Sequence, residues 1–208
     1  MSTDQPNMRT AGLILAAGES SRFGELKQLA SVAGEPLLAR VVRAALSSAL
    51  DKTVLVLGFC AEIIFQQLGS TLDDPALSVV TNTAYKKGMA TSIRVGLAQI
   101  DQSFDSAMII LGDFPLLNPQ IINQVLEAYR TSGKGICLPV RDDRWGHPIC
   151  ISRRFFDSLM RVEGDTGARE IIKRNWSEVY PFRIPENGCF FDVDTQQDME
   201  RLKRIVLI

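Results

Sequence analysis

Short apolar runs alternate with amphipathic stretches along the whole chain, which predicts an α/β fold: a single-domain, three-layer αβα arrangement around a mostly parallel sheet. Two observations carry this. Residues 11–16, 53–57 and 107–111 are almost wholly apolar and short, as strands buried on both faces are. The stretches between them carry apolar residues at helical spacing instead. No repeat, low-complexity segment or linker breaks residues 11–208, so they read as one domain. Residues 1–10 are polar and read as a flexible segment without the apolar core of a signal peptide.

The elements follow in order. The first strand, 11–16, stops at Gly18. Pro36 opens a helix whose stripe is Leu37, Leu38, Val41, Val42, Ala45 and Leu46, with Arg40 and Arg43 off it. Residues 53–57 form the second strand, 63–68 a short helix, 78–81 a third strand and 91–100 a helix. Strand 107–111 runs into Gly112-Asp113. Asn118 then caps a helix with Pro119 at its first position and Ile121, Ile122, Val125 and Leu126 inward. Strands at 136–140 and 148–152 follow, then helices through Phe155–Met160 and 166–174. Residues 190–193 read as a late strand. Thr195 caps a last helix, with Asp198 three residues on.

Composition narrows the chemistry. The 208 residues are 46% hydrophobic and 23% charged, with a net charge of −1, which disfavours a general nucleic-acid or membrane-surface binder. No apolar run is long enough to span a bilayer. His147 is the single histidine, so a His-rich zinc site is excluded and a Ser-His-Asp hydrolase would rest on it alone. The four cysteines (Cys60, Cys137, Cys150, Cys189) contain no C-x-x-C pair and read as free thiols in a reducing, cytoplasmic setting.

Chemistry in such a fold belongs in the loops at the carboxyl ends of the strands. The first of these reads Leu15-Ala16-Ala17-Gly18-Glu19-Ser20-Ser21-Arg22-Phe23-Gly24-Glu25-Leu26-Lys27. Small residues let a ligand approach the backbone, and Arg22 and Lys27 add two cations, which makes a phosphate cradle. An ordinary βα turn with solvated charges is the plainer alternative. The loop is neither Gly-Lys-Ser/Thr nor G-x-G-x-x-G, which counts against P-loop enzymes and dinucleotide-dependent oxidoreductases. Asp113 ends a buried strand, and Asp192 and Asp194 would share one strand face, so all three are candidate ligands for a hard divalent ion. The plainer alternatives are a turn or cap role for Asp113, a place beside the Thr195 cap for Asp194 and a simple exposed position for Asp192. Gly88 allows close backbone approach and Ser92 offers a hydroxyl near a helix start, with a turn plus an N-cap as the plainer reading. His147 precedes Pro148, and Asp165 would cap a helix carrying Arg169.

The string Leu15-Ala16-Ala17-Gly18-x-Ser20-x-Arg22-x-Gly24-x-x-Lys27 resembles the signature loop of the nucleotidyltransferases of the sugar-nucleotide and molybdenum-cofactor type. Among these, it is most similar to the molybdenum cofactor cytidylyltransferase group. Gly-Asp-x-Pro at 112–115, Asp-x-Asp-Thr at 192–195, Gly-His-Pro at 146–148 and Gly-Asp-x-Gly-Ala-Arg at 164–169 agree in order, and Phe23 replaces the usual methionine.

The resemblance implies the Rossmann-like sheet of the nucleotide-diphospho-sugar transferases and magnesium-dependent transfer of CMP from CTP to a phosphorylated pterin, with release of pyrophosphate. Leu15, Ala16, Ala17, Gly18, Gly88, Ser92 and Gly112 would bind the nucleotide. Arg22 and Lys27 would hold the triphosphate and, with Asp113, act in catalysis. Asp113 and Asp194, with Asp192 as a further candidate, would bind Mg²⁺. His147, Asp165 and Arg169 would meet the acceptor. A molybdoenzyme or its chaperone is the implied protein partner. The remaining alternatives are another base or acceptor (GTP, a sugar or polyol phosphate) and a non-catalytic cofactor-binding role.

Overall fold

The computed structural model describes residues 8–206. Most of the segment expected to be flexible, residues 1–7, lies outside the described residues, as do residues 207–208. Arg9 donates its backbone N–H to the Asp105 carboxylate at 2.9 Å, and Thr10 already belongs to the first strand.

That strand, β1 (Thr10–Ala16), is buried along its whole length. After a short hairpin, β2 (Ser31–Val32) and β3 (Glu35–Pro36), come α1 (Leu37–Leu46), β4 (Lys52–Leu57), α2 (Ala61–Leu68), β5 (Leu77–Thr81) and α3 (Met89–Leu97). β6 (Ser106–Leu111), α4 (Pro119–Ser132), β7 (Ile136–Arg141), β8 (Arg144–Trp145) and β9 (Ile149–Ser152) follow. The chain ends with α5 (Phe156–Met160), α6 (Arg169–Arg174), β10 (Val179–Arg183) and α7 (Gln196–Val206). The main sheet has the order β10-β7-β9-β6-β1-β4-β5, with β8 paired to β7. Only β9 and the short β8 run against the rest.

Because successive strand residues face opposite sides, the sheet feeds two cores. Ile14, Leu55 and Ile110 meet Leu38, Val42 and Val125 on the face covered by α1, α2 and α4. Leu13, Val54 and Ile109 meet Ile93, Leu159 and Ile172 on the face covered by α3, α5 and α6. A third cluster joins Phe23, Val32, Leu37, Val193, Met199 and Leu202, and docks α7 against the loop after β1. Phe23 is therefore a core residue, a role that any large apolar side chain can fill.

Three expectations are corrected. Residues 190–193 are not a strand: a single 3-10 turn spans Asn187–Cys189, and 191–194 have no regular structure. The last strand is instead β10, in a stretch for which no strand was expected. Pro181 is tolerated because β10 lies at the sheet edge, where one face of the ladder needs no donor. The helix expected over 166–174 begins only at Arg169, and the one over 91–100 runs from Met89 to Leu97.

The start of α4 behaves as its sequence predicts. Asn118 is extended and its Oδ1 accepts the Ile121 N–H at 2.9 Å, with Pro119 following. Asn118→Ala is expected to lower stability by about 1 kcal/mol, read as a lower urea midpoint at unchanged slope; an unchanged midpoint would show the cap to be idle.

Candidate active site

The carboxyl ends of β1 and β6 are neighbours in the sheet, so the loops that leave them meet. The Gly112 N–H donates to Leu15 O at 2.9 Å and closes the crevice floor. A Cβ at Gly112 would come within 2.8 Å of the Ala16 Cβ, so only glycine lets these two loops touch. Gly58 plays the same part beside Ala17, where a Cβ would lie 2.7 Å from Ala17 O.

Gln28 shapes the loop after β1 from behind. It is buried, donates to Gly18 O at 3.0 Å and accepts from the Ser20 hydroxyl at 3.1 Å. Ser20 has a positive φ of 54°, and its carbonyl accepts from Phe23 N and Gly24 N, so the chain reverses within a few residues. Phe23, buried in the third cluster, anchors this turn. Arg22 is thereby left at the rim and Lys27 beneath.

Lys27 makes three bonds with its ammonium: to Asp113 Oδ2 at 2.8 Å, Asp194 Oδ1 at 3.0 Å and Val193 O at 2.8 Å. Arg22 meets the other oxygen of Asp194 at 2.9 Å. Burial works against the charge on Lys27, but the carboxylates of Asp113 and Asp194 outweigh it and hold its pKa above the ordinary lysine value. The Val193 N–H donates to Asp113 O at 3.0 Å, so the two acidic segments are also tied through their backbones. Thr195 and Asp198 form the reciprocal cap expected of them, with Asp198 Oδ2 accepting from the Thr195 N–H and hydroxyl; α7 thus starts directly after Asp194.

These groups line a cavity of about 280 Å³. It is walled by Leu15, Ala16, Ala17, Gly18, Arg22 and Lys27 on one side and Leu111, Gly112, Asp113 and Asp194 below. Tyr85, Gly88, Met89, Ser92 and Asp165 close the far side. Ser92 lies within α3 and is held by Asn82, whose buried amide donates to Thr91 Oγ1 at 2.8 Å and Ser92 Oγ at 3.0 Å. Gly88 has φ +101°, and a Cβ there would lie 2.4 Å from the Gly164 backbone, so glycine is required where the two halves of the wall close. Asp165 does not cap the helix after it; its Oδ1 accepts the Met89 N–H at 3.0 Å and supports the start of α3.

Twelve of the fifteen site residues named from sequence line this one cavity, and Asp192, His147 and Arg169 do not. Asp192 is more exposed than Asp194, because the segment is not a strand and the two carboxylates do not share a face. Lost hydration and the charges of Asp113 and Asp194 push its carboxyl above the ordinary range. Arg169 lies 5.9 Å from the centre of the Trp145 ring. His147 packs on Phe114 at 5.3 Å between ring centres, and its Nδ1 is enclosed without a hydrogen-bond partner among the described residues. Gln28, Tyr85 and Met89 were missed from sequence, since an isolated Gln or aromatic residue carries no pattern.

Burial pushes the His147 pKa down to about 4, against the opposing pull of the Asp113 charge. The unfolded chain, at about 6.5, then takes up the proton first, so this group's contribution to stability falls as pH drops from 6.5 towards 4. Because His147 is the single histidine, an NMR titration reads it directly. The expected midpoint is about 4; a midpoint near 6.5 would show the ring to be solvated.

Known proteins resemble this chain along most of its length. Two archaeal relatives named "Probable molybdenum cofactor guanylyltransferase" are similar over most of their length. The Thermococcus sibiricus protein is 22% identical over 92% of this chain and 96% of its own. The Thermococcus gammatolerans protein is 25% identical over 93% and 98%. The crystal structure of Rv0371c from Mycobacterium tuberculosis H37Rv superposes with a TM-score of 0.82 at 27% identity, covering 95% of this chain and 98% of that one. Another structure of that protein, in complex with manganese, gives 0.77 at 25% identity, with the same coverage of both chains. A nucleotidyl transferase from Methanothermobacter thermautotrophicus shares the fold, with a TM-score of 0.80 at 20% identity over 97% of this chain and 98% of its own. The profile of the MobA-like NTP transferase domain matches residues 12–179. With that match over most of the chain, the chain belongs to the MobA-like NTP transferase domain family and is a nucleotidyltransferase.

Proposed function

We propose that the chain transfers a nucleotidyl group from a nucleoside triphosphate, CTP, to the phosphate of a molybdopterin-type acceptor and releases pyrophosphate. The observation that carries this is the meeting of Lys27 and Arg22 with Asp113 and Asp194 at the floor of one cavity. The relatives' names support the acceptor class. The donor rests on the sequence resemblance to the cytidylyltransferase group, whereas the names of these relatives favour GTP as a second reading.

An oxygen of the acceptor phosphate attacks the α-phosphorus, the α–β P–O bond breaks, and its electron pair leaves with pyrophosphate. The acceptor is already an anion at pH 7, so no imidazole base is needed, in keeping with a neutral His147 outside the cavity. Lys27 and Arg22 balance the charge that builds on the phosphates, and the loop backbone from Leu15 to Gly18 frames the nucleotide.

Mg²⁺ fits the residues present. Asp113 Oδ1 is enclosed without a hydrogen-bond partner among the described residues, and Asp194 offers a second hard oxygen donor. When bound, Mg²⁺ supplies charge neutralisation at the phosphate oxygens.

Incubation with acceptor, Mg²⁺ and each triphosphate in turn tests this by pyrophosphate release. CTP is expected to be the substrate, and Asp113→Ala to cut turnover by about a hundredfold or more. Turnover with GTP alone would replace the donor; near wild-type turnover of Asp113→Ala would overturn the metal assignment.

A further inference from the structure

A second cleft opens on the same edge of the sheet as the nucleotide cavity. β9 is antiparallel to both β6 and β7, and β10 is parallel to β7, so β6, β7 and β10 all point the same way. Arg141 and Arg183, at the ends of β7 and β10, therefore emerge on the side where Asp113 follows β6. Two strand spacings, about 10 Å, separate β6 from β7. The cleft there has a volume of about 800 Å³, and its lining includes Arg141, Asp142, Asp143, Trp145, Trp176 and Arg183.

Its central feature is a stacked pair of indoles. Trp145 and Trp176 lie 5.2 Å apart between ring centres and 15° from parallel. Trp176 is 47% exposed, an unusual setting for so large an apolar surface. Arg141 is held in place over the Phe190 ring at 4.4 Å and by a bond to Asn187 at 2.7 Å. Asp142 and Asp143 form the two-residue turn between β7 and β8, with Asp142 at φ 54°. Arg169 lies 5.9 Å from the Trp145 ring centre, and Asp165, four residues before it, lines the nucleotide cavity.

We propose that this cleft holds the heteroaromatic head of the acceptor, a pterin-class ring, while the acceptor's phosphate reaches the floor at Asp113. The ring stacks on the Trp176–Trp145 pair. Its amino-pyrimidinone edge, which carries N–H donors, faces the carboxylates of Asp142 and Asp143. Its anionic substituents face Arg141 and Arg183. A ring with donors on one edge and negative charge elsewhere suits a wall that offers both signs of charge, which a plain sugar phosphate would not use. The proposal rests on the transfer reading above and adds the residues that select its acceptor.

The test uses the whole protein with 6-hydroxymethylpterin phosphate as probe and CTP as control, both by calorimetry. The chain's two tryptophans are both in the stack, so binding should also quench intrinsic fluorescence. Trp176→Ala is expected to weaken pterin binding by about tenfold, as loss of one stacking partner does. CTP affinity should stay unchanged, and Trp176→Phe should restore most of the loss. Equal pterin affinity in wild type and Trp176→Ala would overturn the cleft assignment and leave the transfer reading standing. Wild-type protein that binds CTP but no pterin phosphate would overturn the acceptor class and this proposal with it.

Discussion

One ammonium group holds the functional end of this molecule together. Lys27 comes from the loop after β1, Asp113 from the loop after β6, and Asp194 from the approach to α7; 86 and 167 residues of chain separate Lys27 from its two carboxylates. A charge this enclosed is stable only with counter-charges in contact, so the position of each segment depends on the other two. With Arg22 added, two cations face two carboxylates and the cavity floor is neutral. In the proposed reaction the two cations would turn to the phosphates, and the two carboxylates are the groups that would hold Mg²⁺.

The rest of the fold presents those segments to one another. The parallel pairing of β1 with β4 and β6 sends their following loops to the same edge. Phe23 and the cluster around Met199 and Leu202 pull α7 under the loop after β1, and the Thr195–Asp198 cap starts that helix where Asp194 must sit. On the far wall, Asn82 holds Ser92 and Gly88 lies against Gly164, so the half of the chain after β6 closes the cavity opened by the half before it. Family membership fits this arrangement, because the profile match runs through all of these strands.

Much of this was legible in the residues. The buried strands announced themselves as apolar runs, Asn118-Pro119 marked a helix start, and Thr195 with Asp198 marked another. The loop from Leu15 to Lys27 could be singled out because its small residues and two cations follow a strand directly. The failures have physical causes. β10 was not expected; it carries Pro181, which its edge position tolerates, and edge position is a property of the assembled sheet. Residues 190–193 look like a strand because Phe and Val are apolar, yet Val193 is buried against Met199 and Leu202 rather than in the sheet. Gln28 carries no pattern at all, although its bonds to Gly18 and Ser20 shape the loop.

By itself, the sequence determined the kind of fold and singled out the loop and the residue types proposed for phosphate chemistry, because periodicity and local spacing are written along the chain. Only the tertiary structure decided that Asp194 rather than Asp192 reaches Lys27, that Asp165 braces α3, that His147 is withdrawn beside Phe114, and that Trp145 and Trp176 stack on one edge. Those are contacts between segments tens of residues apart. Their partners are selected by sheet order and packing, which no local pattern encodes.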